Sequence, residues 1–133
     1  MDVLLTRTAR RALEAAALGG GRTASGLLLG HKRGGRFVIE SAVPSGRGSF
    51  PGREAYVRLA SILGDEVVGF FSSPPAPGLR KKTPPPFSVG KLFVSVKAGR
   101  AGRLSCRAFF IDYAERFVWK PLRFVPFVVR RHA

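Results

Sequence analysis

Apolar and polar positions repeat with two different periods along this chain, and the changes of period divide it into elements. From Val3 to Leu18, apolar Leu5, Ala9, Ala12, Leu13 and Ala16 recur at helical spacing while Arg7, Arg10, Arg11 and Glu14 fall on the other face. That repeat predicts an amphipathic helix. Gly19-Gly20-Gly21 follows, and glycine accepts the left-handed conformation that closes a helix. A phosphate-cradling loop would follow a strand and end in Gly-Lys-Ser/Thr, which these glycines do not do.

The period then shortens. Gly26-Leu27-Leu28-Leu29-Gly30 and Arg36 to Val43 flank Lys32-Arg33-Gly34-Gly35, which predicts a hairpin turning on the glycine pair. The first run is apolar throughout, as in a strand covered on both faces. His31, at its end, reads as an exposed or capping residue rather than a ligand. After a Gly/Ser/Pro loop from Ser45 to Pro51, Arg53 to Leu63 permits a second helix ended by Gly64, with Pro51 suited to its first turn. Val67-Val68-Gly69-Phe70-Phe71 is a short β-rich run and predicts a central strand.

Ser72 to Phe87 holds Pro74, Pro75, Pro77, Pro84, Pro85 and Pro86, which forbid helix and internal strand alike. A loop of that length reads either as a contact surface or as a solvated, mobile flap, and Arg80, Lys81 and Lys82 sit in it. Leu92 to Val96 and Leu104 to Ile111 predict a second hairpin. Phe117 to Leu122 and Arg123 to Val129 close the chain, their prolines Pro121 and Pro126 favouring extended, edge-like structure.

Composition adds bounds. A chain of 133 residues suits one domain with one core. No apolar run approaches the roughly 18 residues of a membrane span, and the basic, Asp2-containing start does not read as a signal peptide, so a cytoplasmic protein is expected. The single cysteine, Cys106, excludes a disulfide framework within the chain and reads as a buried, inert thiol. A formal charge of +15 creates a field that draws nucleic acid, an anionic membrane or an acidic protein. The excess of arginine over lysine is also what a nucleotide-biased genome produces, so the charge alone does not choose among them. The basic, aromatic end of the chain lacks the helical amphipathicity of a membrane-surface segment.

The order of elements gives a single α/β domain of α+β type without strict βαβ alternation. Together with Gly26-Leu27-Leu28-Leu29-Gly30 and Val68-Gly69-Phe70-Phe71-Ser72-Ser73-Pro74-Pro75, it resembles the JAMM/MPN domain. That is the fold of zinc-dependent isopeptidases that remove ubiquitin-like modifiers, and of their inactive relatives in proteasome lid, signalosome and initiation-factor complexes. The resemblance implies a cytidine-deaminase-like architecture, a mixed central sheet with flanking helices. It places Thr23 on the catalytic glutamate, Ser72 and Pro74 on the two metal-binding histidines, Ser88 on the motif serine and Lys91 on the metal-binding aspartate.

None of these can hold zinc, which wants three His, Asp, Glu or Cys ligands and an activated water. Proline offers no side-chain donor, a hydroxyl is a poor one, and the Lys91 ammonium would repel a dication. Ser72 and Ser73 follow a strand as a nucleophile would, but the Gly-x-Ser-x-Gly context and a neighbouring base are absent. The expectation is therefore a non-catalytic pseudoenzyme of the JAMM/MPN type, without metal or cofactor. It would act as a protein-binding or scaffold subunit, through pairing with a like domain, as a homodimer, or by taking ubiquitin-like or acidic partners on Arg80, Lys81, Lys82 and Lys91. Two other readings stand beside it: a basic nucleic-acid-binding module, motivated by the charge and by Lys32, Arg33, Arg100 and Arg103 at hairpin turns, and a hydrolase with an unrecognised site.

Overall fold

In the computed structural model, residues 1–18, 24–47, 50–73, 83–98 and 104–125 are described. The chain begins in a strand, β1 (Asp2–Leu5), and only then enters helix α1 (Arg7–Leu18). The helical repeat read from Val3 thus holds from Arg7 onward, while the unbroken apolar run Val3-Leu4-Leu5 goes to the sheet. Thr6 makes the junction. Its Oγ1 accepts the Ala9 N–H at 3.2 Å and its carbonyl accepts the Arg10 N–H at 2.9 Å, while its own N–H donates to the Ile39 carbonyl at 3.1 Å. A hydroxyl in that position takes one of the N–H groups that every helix start leaves unpaired.

The first hairpin forms as predicted, from β2 (Ala24–Arg33) and β3 (Arg36–Arg47), with Gly34 at φ +60° in its turn. Helix α2 (Arg53–Leu63) also forms within the predicted bounds. A 3₁₀ turn (Gly64–Glu66) leads into β4 (Val67–Ser73), which is buried along its whole length. β4 runs two residues past the predicted strand, so Ser72 and Ser73 belong to the sheet and not to the loop. After the 3₁₀ turn Pro86–Ser88 come β5 (Leu92–Ala98), β6 (Leu104–Ala114) and β7 (Arg116–Phe124).

The two closing segments were expected as extended edges. Up to Phe124 they form one strand, β7, paired along β6 and, at Arg123 and Phe124, along β1. Pro121 faces Phe109 of β6, and the registered ladder to β1 does not reach it. Its missing N–H therefore falls where no second strand asks for one.

β1 decides the architecture. Four residues long, it pairs in parallel with β3 on one side and β7 on the other, and so closes a seven-stranded barrel in the order β1-β3-β2-β4-β5-β6-β7. The expected α/β domain with a mixed central sheet and flanking helices is overturned by that closure.

Two apolar clusters lie on opposite faces of the sheet. Val3, Leu28, Phe37, Phe71, Val94 and Ala108 are buried together with partly buried Leu122, one side chain from each of the seven strands, and Ala9 and Leu13 of α1 complete this inner cluster. Outside, Leu27, Phe70, Phe93, Phe109, Ile111 and Trp119 are buried beneath Phe50, Phe87 and the Tyr56, Leu59 and Leu63 face of α2. Tyr56 stacks on Phe87 at 4.3 Å between centroids, and Phe50 lies 5.0 Å from Phe93. A Cβ on Gly69 of β4 would overlap the Leu92 carbonyl of β5. No helix among the described residues is long and apolar enough to cross a membrane.

Candidate functional site

The residues singled out at the sequence level do not gather. Ser72, the last residue but one of β4, is fully buried beside Ser25 of β2 and Ser95 of β5, with Ser95 opposite Arg107 of β6. Among the described residues the hydroxyls of Ser25, Ser45 and Ser72 are buried without a hydrogen-bond partner. Lys91 lies elsewhere. Because Gly69 pairs with Leu92 and Ser72 with Ser95, Lys91 is level with Val68, about 13 Å back along the strand at ~3.3 Å per residue. Its Nζ donates to the Val67 carbonyl at 2.9 Å, tying β5 to the start of β4. Ser88 is buried in its 3₁₀ turn and its hydroxyl donates to the Pro85 carbonyl at 2.6 Å. Thr23, Pro74, Arg80, Lys81 and Lys82 lie outside the described residues. No group of three or more His, Cys, Asp or Glu side chains that could hold a metal occurs among the described residues.

A different set does come together, on the outer face of β1, β3 and β2. The register places Asp2, Arg36 and Arg33 in one transverse row and Leu4, Val38 and His31 in the next. Strand geometry spaces such neighbours about 5 Å apart across the sheet and the rows about 7 Å apart along it. These six residues and Gly35 line an open groove of about 640 Å³. Its floor is aliphatic, from Leu4 and Val38, and its rim is charged.

The rim charges are unequally matched. Arg36 grips Asp2 in a fork, Nε to Oδ1 at 2.8 Å and Nη2 to Oδ2 at 3.2 Å. That hydrogen bond holds the Asp2 carboxyl below its ordinary 3.8 and raises the Arg36 guanidinium. His31 Nδ1 lies 2.9 Å from Glu40 Oε1. Arg33 is exposed and has no ion-pair partner among the described residues. Arg123, which pairs with Asp2 across the barrel seam, points outward because Leu122 and Phe124 pack inward. The groove therefore presents unmatched positive charge at one end of an apolar floor.

Sequence reasoning named Arg33 only as a turn cation and passed over Asp2, Leu4, Arg36 and Val38. The signal was present in Arg36-Phe37-Val38-Ile39-Glu40, where alternation sends Arg36, Val38 and Glu40 to one face. What could not be read was the arrival of β1 beside them.

The fold thus defines the class: a small closed barrel of seven strands with one helix packed on its inner cluster and one over its outer aromatics. No family model matches the chain, and no curated protein does. Among solved structures it is similar to that of protein DSY2949 from Desulfitobacterium hafniense, with a TM-score of 0.64 at 16% identity over 98% of this chain and 99% of that one. The likeness carries the fold alone. With it the JAMM/MPN resemblance gives way, and the domain pairing and ubiquitin-like partner it implied lose their basis.

Proposed function

We propose that this protein is a non-catalytic binding module that recruits an acidic protein partner. The observation that carries the reading is the surplus of exposed, unpaired guanidinium groups. Arg7 and Arg11 on α1, Arg53 and Arg58 on α2, and Arg33, Arg116 and Arg123 on the barrel are exposed with no carboxylate in ion-pair reach among the described residues. A net charge of +15 spread in this way steers an anionic partner from a distance and speeds its capture.

Two features favour protein over nucleic acid as that partner. Single-stranded nucleic acid is held largely by stacking on exposed aromatics, whereas Phe70, Phe93, Phe109 and Trp119 are buried under α2 and its neighbours and, of the described aromatics, Tyr113 alone is exposed. The groove on β1, β3 and β2 has an aliphatic floor, which suits a side chain better than a phosphate backbone. Among the described residues the buried hydroxyl of Ser25 is set apart from His31, which lies six residues along β2, roughly 20 Å away.

Titration with poly-L-glutamate, duplex DNA and single-stranded oligonucleotide at two salt concentrations tests the reading. Tighter, salt-sensitive binding of the acidic polypeptide is expected. Tighter binding of either nucleic acid, or steady turnover in a hydrolase screen, would refute it.

A further inference from the structure

We infer that the groove on β1, β3 and β2 is the seat of that acidic partner, and that it takes an extended segment carrying a carboxylate and an aliphatic side chain two residues apart. The inference rests on the binding-module reading and adds the site and the recognised pattern.

The two rows supply the argument. Arg33 and Arg36 stand in one, and Leu4 and Val38 in the next, a separation of about 7 Å. An extended peptide repeats its side chains on one face every two residues at the same spacing. A peptide laid along β3 with its acidic residue over Arg36, within reach of the neighbouring Arg33 of β2, therefore puts residue i+2 over Val38, beside Leu4 of β1. Charge complementarity selects the occupant. Arg36 is already engaged by Asp2, and His31 by Glu40, so the unmatched cation at the rim is Arg33, with Arg123 beyond the seam. Backbone pairing does not drive the docking, because β1 is bonded on both sides and offers no edge. The contact is made by side chains on the face of the sheet.

The openness of the site also points to a peptide. A small molecule needs most of its surface enclosed, and this groove, lined by strand and turn residues alone, is open along the sheet. A partner that is itself folded can bring its own cover.

Fluorescence anisotropy with two labelled hexapeptides of equal composition tests the inference on the full chain. One has the order Gly-Glu-Thr-Leu-Thr-Gly, the other places Glu and Leu side by side so that they face opposite ways. The first is expected to bind more tightly. Arg33→Glu should weaken it by about tenfold, the loss of one charge-assisted hydrogen bond, and Val38→Ser should weaken it as well. Lys97→Glu on β5, an identical change of net charge away from the groove, should cost less than about twofold. Thermal melts of the variants confirm that each is folded. Equal binding of the two peptides, or equal losses from Arg33→Glu and Lys97→Glu, would overturn the groove while leaving general recruitment of acidic proteins standing. Failure of poly-L-glutamate to bind in the earlier titration would remove the broader reading itself.

Discussion

Burial governs the chemistry of both Cys106 and Ser72. Cys106 packs at the margin of the inner cluster, and its thiol is pushed up from 9.0 to about 11 by burial, with Arg10 opposing and Glu14 adding to the shift. Alkylation by iodoacetamide near neutral pH should then run roughly a hundredfold slower than for a free thiol, through loss of thiolate, and accelerate toward pH 11. A fast reaction at neutral pH would contradict the packing. Because the folded-state value is raised, this thiol's contribution to stability is full below about 9 and fades as the pH climbs through the folded value. The orphan hydroxyl of Ser72 costs desolvation without return. Ser72→Ala should keep or raise stability, by up to about 1 kcal/mol, in urea denaturation. A clear loss would show that the hydroxyl is bound.

At the scale of elements, the helix of Arg7–Leu18, the β2–β3 hairpin and α2 were legible because their periodicity is local. β1 was not. Val3, Leu4 and Leu5 fit a helical stripe as well as a strand, and only pairing with β3 and β7, more than 30 residues away in each case, separates the two. Closure of the sheet went unread for the same reason, and with it the groove, half of whose aliphatic floor is Leu4. The Val-Gly-Phe wording of β4, which had suggested a hydrolase strand, has a packing explanation in the close approach of Gly69 to Leu92. Gly69→Ala should cost about 1–3 kcal/mol as an overpacking change, measured by chemical denaturation. A neutral effect would mean that β4 and β5 can part freely.

Over the whole molecule, the charge that dominated the sequence reading is distributed around a fold that does not depend on it. The ion pairs described are all on the surface, where salt screens them and little stability is at stake. Asp2 and Asp112 are both held below their ordinary 3.8, by the hydrogen bonds from Arg36 and Lys120. Depressed carboxyl values stabilise the fold above 3.8 and lose that contribution as the pH falls through the lower folded values. The melting temperature should therefore decline below about pH 4, and less steeply in a protein carrying Asp2→Asn and Asp112→Asn. An equal slope in both would show that these pairs do not hold in solution.

Recruitment of acidic protein by the face of β1, β3 and β2 is the claim on which the functional account turns, and amide chemical-shift mapping of the ¹⁵N-labelled chain addresses it most directly. On addition of poly-L-glutamate at moderate salt, the perturbed amides should cluster at residues 2–5 and 31–40. Perturbation spread evenly over α1, α2 and β7, or produced by duplex DNA and not by the acidic polypeptide, would contradict it.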